Sequence, residues 1–354
     1  VSQRFTKPPR RALVIKLGHI GDVLVTTPVF TALKEAFPDI SITAVVNQGT
    51  EAMVAHNPCL DRVLLIRRDH VSRWAAARDQ WRLIRELRSS GFDLCLELSG
   101  GDRGAVLSLL SGAPLRIGFL PNKPHLRARA FHHLVDRSST TTHVIKTFLY
   151  QVEWLGLNPK DQRLKFHPGE DARAKAQELL SQNGLGEGRY ALIHPTSRWM
   201  FKAWTPEGVA RVMEHLAGKG LALVLTSAPD ARELQFVHKV REELVPNLPL
   251  LDLAGKLDLL VLGALIEKAG LFFGVDSAPM HMASALGVPV VVLFGPSGEK
   301  MWGPWQVRAE VVTGDCDIRP CGQDGCNHTK ISLCLVKLPP EKVIAAVDRI
   351  LAEI

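Results

Sequence analysis

Nothing in the sequence is apolar for long enough to cross a bilayer. A spanning helix needs about 18–20 consecutive apolar residues, and the run Leu286 to Gly295 is broken by Pro289. An export signal is not expected either. The basic start (Arg4, Lys7, Arg10, Arg11) is followed only by Ala12–Ile15 before Lys16, shorter than the ~7–15-residue apolar core of a signal peptide. A cytoplasmic protein is therefore expected. Tyrosine is scarce, with two residues, and aromatics make up 6% of the chain. With no zinc-finger spacing and no basic–aromatic ribonucleoprotein motif, nucleic acid is not an expected partner. The glycines after the first apolar run do not follow G-x-G-x-x-G, so a dinucleotide site is not indicated.

What is present is an ordinary globular composition: 354 residues, 46% hydrophobic and 22% charged. That length suggests two domains, and the composition excludes disorder, collagen and coiled coil. The 43 basic and 36 acidic side chains leave a formal charge of +7. An excess of this size suits an anionic membrane or a phosphorylated small molecule.

Two passes of one rhythm run along the chain. The first has strand-like runs at 12–17, 41–46, 62–66, 93–98 and 116–119, with helical stretches that include 23–36 and 73–90. The second has strand-like runs at 190–194, 222–227, 250–254, 271–275 and 289–294, with helices near 206–217, 230–244, 259–269 and 279–286. Short, continuously apolar strands alternating with longer helices predict parallel sheets covered on both faces. Two such sets predict an α/β protein of two doubly wound Rossmann-like domains, with ligands at the carboxyl ends of the strands. The expected domains are 1–165 and 166–338, with a closing helix over 339–354. The polar stretch 158–188 forms the join.

Several strand ends carry chemistry. Gly18-His19-Ile20-Gly21-Asp22 follows the first strand and opens a helix. Asp22 reads either as an N-cap or as a general base. After the first strand of the second half come Thr196, Ser197 and Lys202, among Trp199, Phe201 and Trp204. Hydroxyls and an ammonium suit phosphate oxygens and the aromatics suit a stacked ring, although plain loops carry such clusters too. Gly274-Val275-Asp276-Ser277-Ala278-Pro279-Met280-His281 ends a strand and starts a helix. The free N–H groups of Ser277 and Ala278 make an anion site there. Asp276 would repel phosphate, so capping or a ribose hydroxyl is its expected task. Asp230 and Glu233 open another helix, as a cap and a first-turn acid or as a ribose contact. The segment 116–137 sets Arg116, Lys123, Arg127, Arg129 and Arg137 against the single acid Asp136, which reads as a solvated basic loop or an anion-binding one. Cys316, Cys321, Cys326 and Cys334 are spaced C-x4-C-x4-C-x7-C, looser than zinc ligands usually are.

The order of these pieces resembles the ADP-heptose:lipopolysaccharide heptosyltransferases, the inverting glycosyltransferase family 9. The likeness lies in Ile15-Lys16 through Gly21-Asp22 to Pro28, Thr196–Trp204, Gly274–His281 and Leu293-Phe294-Gly295-Pro296. Within the family, Pro195-Thr196-Ser197, Leu225-Thr226-Ser227 and Trp302-Gly303-Pro304-Trp305 look most like the subgroup that adds the third, branching heptose. The resemblance implies a glycosyltransferase-B fold, with two domains facing a cleft and the donor held mainly by the C-terminal half. It implies Asp22 as catalytic base, with Thr196, Ser197 and Lys202 at the diphosphate. Asp276, Ser277, Ala278 and His281 would form the helix-start part of the donor site, and Glu233 a further donor contact. Acceptor contacts are expected from His19, Arg67, Arg68, Arg116, Lys123, Arg127 and Arg129.

The implied partners are ADP-heptose, the lipid A–core acceptor and the inner-membrane surface. A monomer without cofactor or metal is expected. A 2-epimerase of the same fold and a non-catalytic nucleotide-sugar binder are the rival readings. Protein purified without added metal should carry no stoichiometric zinc by elemental analysis; one zinc per chain would assign the four cysteines to a metal.

Overall fold

The structure, a computed structural model, describes residues 5, 7–67, 72–121, 126–136 and 143–353, excepting the side chains of residues 126 and 127. Arg68, Lys123 and Arg137 lie outside the described residues, and so does the side chain of Arg127.

Runs rich in branched residues form the strands. In the first half these are β1 (Arg11–Lys16), β2 (Ser41–Asn47), β3 (Arg62–Ile66), β4 (Leu94–Glu97), β5 (Leu115–Phe119) and β6 (His133–Val135). In the second half they are β7 (Tyr190–His194), β8 (Ala222–Leu225), β9 (Leu250–Asp252), β10 (Leu271–Val275), β11 (Val290–Phe294) and β12 (Ala309–Thr313). The first six pair in the order β3-β2-β1-β4-β5-β6 and the last six in the order β12-β11-β10-β7-β8-β9. Every pairing is parallel. Parallel strands need helical crossovers that cover the sheet, and β7, β10 and β11 are buried at every position.

The chain divides into two compact units, Val1–His167 and Pro168–Ile354. Helix Glu170–Gln182 belongs to the second unit, where Arg173 holds Glu267 through two bonds of 2.8 and 2.9 Å. Helix Pro340–Leu351 belongs there too. It sends Val343, Ala346, Val347 and Ile350 into the same core as Trp204, Met213 and Phe273. The expected closing helix is thus an integral layer of that unit.

Two expectations need correction. The helix expected over 23–36 is two helices, Ile20–Leu24 and Thr27–Ala36. Pro28 has no N–H to continue the first one. The Thr26 and Thr27 hydroxyls donate to the carbonyls of Val23 (2.7 Å) and Leu24 (2.9 Å) at the break. The segment 116–137 is only in part a loop, because β5 and β6 occupy its two ends and pair with each other.

Candidate active site

In the second unit, β7 is the first strand in sequence and lies between β10 and β8. The chain reverses its direction of winding between β7 and β10, and such switch points open a crevice at the strands' carboxyl ends. The backbones run close together there, since a Cβ on Gly274 would come within 2.5 Å of the His194 carbonyl oxygen. Two loops leave this edge. One follows His194 and carries Thr196, Ser197 and Lys202; the other carries Asp276 and starts helix Ala278–Leu286 at its N-cap, Ser277.

The two loops are tied by an ion pair in which Lys202 Nζ donates to Asp276 Oδ2 at 2.6 Å. Asp276 is buried and Lys202 half-buried. Asp276 is not the N-cap, which is Ser277; its carboxylate fixes the lysine. An ammonium has three donors, so this contact leaves two for a ligand. Beside it, the Ser277 hydroxyl is buried without a hydrogen-bond partner. An orphaned buried hydroxyl is costly, and at a helix start with unpaired N–H groups it suits an anionic oxygen.

Behind this edge the polar groups are linked. Thr196 Oγ1 donates to Glu233 Oε2 at 2.6 Å, and the Ala228 N–H donates to the same oxygen at 3.3 Å. Glu233 is buried on helix Ala231–Glu243, so its carboxylate positions the Thr196 loop. The Ser197 hydroxyl accepts from the Trp199 N–H at 3.3 Å. Ala278 and His281 lie on the first turn of the site helix, with His281 buried.

His194, Thr226 and Ser332 were given no role by the sequence reading. Thr226 donates its hydroxyl to the Ile193 carbonyl. It therefore accepts from His194, whose Nδ1 lies 3.0 Å away. Burial pushes the His194 imidazole down to about 4. Ser332 donates to the Phe201 carbonyl at 2.5 Å, and Trp204 Nε1 donates to the Leu338 carbonyl at 3.2 Å. The cysteine-bearing segment thus buttresses the Lys202 loop. Their position at or just past a strand end, or inside a loop, is the available signal, but a single sequence does not pair them.

The cysteines themselves are free. Cys334 is buried, and burial pushes its thiol up. Among the described residues no three His, Cys, Asp or Glu side chains gather as a metal-ligand set. The sequence does contain one Asp-x-Asp, Asp315-Cys316-Asp317, and Asp315 is held at the surface by Lys342 at 3.2 Å.

The first unit has its own switch point, between β1 and β4. Asp22 stands in the short helix that follows β1, half-exposed. The N-cap of helix Ile20–Leu24 is His19, and Asp22 is three residues further on. Its Oδ2 accepts from the His19 N–H at 2.9 Å, the return arm of a capping box. The N-cap expectation is corrected accordingly. Gly18 makes room for it, since a Cβ there would lie 2.7 Å from the Asp22 Cβ. Asn47 Nδ2 braces the Gly18 carbonyl at 3.1 Å, and the Leu17 N–H donates to Ser99 Oγ at 2.6 Å. Beneath the loop, buried Lys16 reaches the Leu98 carbonyl at 3.3 Å and stands 4.5 Å over the Phe148 ring.

The basic residues separate. His19 and Arg129 are exposed. Arg67 is exposed at the end of β3, at a groove also lined by Arg82 and Arg103. Arg116 serves the frame, because its guanidinium donates to the carbonyls of Ala130 (2.7 Å) and Ala113 (2.6 Å). That geometry holds β5 to the following turn.

Residues 80–332 match glycosyltransferase family 9 (heptosyltransferase). The chain belongs to this family. The enzyme is 31% identical over 342 residues to lipopolysaccharide heptosyltransferase 3 of Escherichia coli (strain K12), covering 95% of this chain and 97% of the relative. It is 26% identical over 313 residues to the lipopolysaccharide core heptosyltransferase OpsX of Haemophilus influenzae, covering 87% and 86%. The crystal structure of a family 9 glycosyltransferase from Veillonella parvula superposes with a TM-score of 0.83 at 26% identity, covering 98% of each chain. The E. coli heptosyltransferase WaaC, solved with ADP, superposes with a TM-score of 0.72 at 19% identity, covering 97% and 99%. These likenesses establish a glycosyltransferase with two glycosyltransferase-B units of α/β type.

The buried imidazole gives a stability prediction. The ordinary histidine value is 6.5 and the folded one about 4, so the unfolded chain takes up a proton first as pH falls. Stability contributed by neutral His194 is present above about 6.5 and is lost down to about 4, by up to ~3 kcal/mol. Denaturant unfolding of His194→Asn across that window should show a shallower decline than the parent; equal slopes would mean that His194 does not set it.

Proposed function

We propose that the enzyme transfers L-glycero-D-manno-heptose from ADP-heptose to the lipopolysaccharide inner core, adding the third, branching heptose at the cytoplasmic face of the inner membrane. The observation that carries this reading is the Lys202–Asp276 pair beside the orphaned Ser277 hydroxyl. It is an anion-binding edge in the unit expected to take the nucleotide. The 31% likeness to lipopolysaccharide heptosyltransferase 3 supports the acceptor and the position of transfer. No described helix is long and apolar enough to cross a membrane.

The chemistry is a single displacement with inversion. Asp22 removes the proton from the acceptor hydroxyl as that oxygen attacks the anomeric carbon, a contribution of roughly 10²–10⁴-fold. The bond to the β-phosphate breaks and ADP leaves with increased negative charge. Lys202 and the N–H groups at the Ser277 helix start meet that charge, with the Thr196 and Ser197 loop held in place by Glu233. The exposed basic residues Arg67 and Arg129 are proposed to attract the anionic acceptor, together with Arg68, Lys123 and Arg127.

Release of ADP, measured with and without lipid A–core acceptor, tests this reading. Acceptor-dependent release with a glycosylated product supports transfer. A changed sugar without acceptor identifies an epimerase, and no turnover identifies a binding protein. Asp22→Asn keeps an oxygen for the His19 N–H, so ADP affinity should hold while turnover falls at least ~100-fold. Near-normal turnover would leave Asp22 a capping residue.

A further inference from the structure

Helix Arg73–Ser89 in the first unit carries two of the chain's seven tryptophans. Trp74 is 86% exposed and Trp81 69% exposed. Large aromatic side chains are normally at least partly covered, and both of these are open on one helix. Trp74, Arg78, Trp81, Arg85 and Arg88 follow one another at offsets of four, seven, eleven and fourteen residues. At 100° per residue those offsets fall within a stripe about 80° wide. All five are exposed. The opposite side of the helix holds buried Leu87 and the core-packed Leu83. The acids lie off the stripe, and Glu86 is engaged by Arg62. Core packing thus fixes the rotation of the helix and presents an aromatic–arginine face outward.

We infer that this face docks on the headgroup layer of an anionic phospholipid bilayer. Tryptophan indoles settle at the boundary between headgroup and acyl chain, and arginines beside them pair with lipid phosphates while their stems stay in the apolar layer. Five arginines on the helix oppose two acids, which complements the negative surface potential of a cytoplasmic leaflet. The stripe is convex and one helix long, ~25 Å by its rise. A protein partner of standard size covers about 800 Å² per side, more than this ridge offers. Single-stranded nucleic acid favours a basic groove over a ridge. The inference rests on the proposed lipid-anchored acceptor, and it names the face that brings the enzyme to it.

Vesicle sedimentation with the intact enzyme tests it, using 30% phosphatidylglycerol in phosphatidylcholine against phosphatidylcholine alone. Wild type should partition at least tenfold more onto the anionic vesicles, and its fluorescence should be quenched by brominated lipid. Trp74→Ser/Trp81→Ser should lose at least tenfold in partitioning together with most of the quenching. Arg78→Gln/Arg85→Gln/Arg88→Gln should lose the preference for phosphatidylglycerol. Unfolding midpoints of both variants should match wild type, because every changed side chain is exposed. Transfer to detergent-dispersed acceptor should be unchanged, while transfer to acceptor in vesicles should fall. Equal partitioning of wild type and both variants overturns the docking face. So does loss in the variants of oligonucleotide binding or of self-association instead. Wild type that docks on vesicles yet transfers nothing to dispersed acceptor contradicts the proposed reaction and leaves the docking face standing.

Discussion

Parallel pairing of β7 with β10 sends both chains out of the same edge of the second sheet, and the rest of the site follows from that constraint. The Lys202 loop and the Asp276 loop have no choice but to be neighbours. Their ion pair then sets where the ammonium points. Two charges removed from water are expensive, and the pair recovers that cost only with good geometry. At 2.6 Å, with Asp276 buried, the contact favours one position of Lys202 over many. A lysine so held has less rotamer freedom to lose when an anion arrives. The neighbouring Ser277 hydroxyl, buried without a partner, is the complementary half. Its stability cost is recovered only on binding.

The same constraint acts in the first unit. The connections that leave β1 and β4 wind in opposite directions, and the turn leading into the Asp22 helix is braced by Asn47, Ser99 and the missing side chain of Gly18. Each unit therefore offers one held polar group at its switch point, a carboxylate in the first and an ammonium in the second. In the reaction proposed above, the carboxylate takes the proton and the ammonium meets the leaving diphosphate.

The parts of this account that depend on local pattern were legible in the sequence. Buried parallel strands are short apolar runs, and Ala12–Ile15, Tyr190–His194 and Leu271–Val275 need no partner to be recognised. Helix starts such as Asp230 announce themselves through N-cap chemistry. What stayed hidden depends on long-range pairing. Whether Asp276 caps a helix or meets a lysine is decided by a residue 74 positions away. The role of Arg116 turns on two carbonyls, one of them on a turn after β5. β6 and β12 are edge strands with half-exposed positions, so their apolar pattern is weak. The break at Val25–Thr26 is signalled by Pro28 itself, outweighed in the pattern by the apolar residues on either side. Ser332 and Trp204 support the Lys202 loop across more than 130 positions, a relation no spacing rule contains.

The central claim is that Lys202, held by Asp276, receives the nucleotide diphosphate. Lys202→Gln removes the charge and keeps an amide that can still donate to Asp276, which separates binding from folding. Calorimetric titration of ADP into this variant and the parent measures the claim directly. Loss of a charge-assisted contact of about 1.5–3 kcal/mol predicts roughly ten- to hundredfold weaker binding. Equal ADP affinity in the two proteins would contradict the account and place the diphosphate elsewhere.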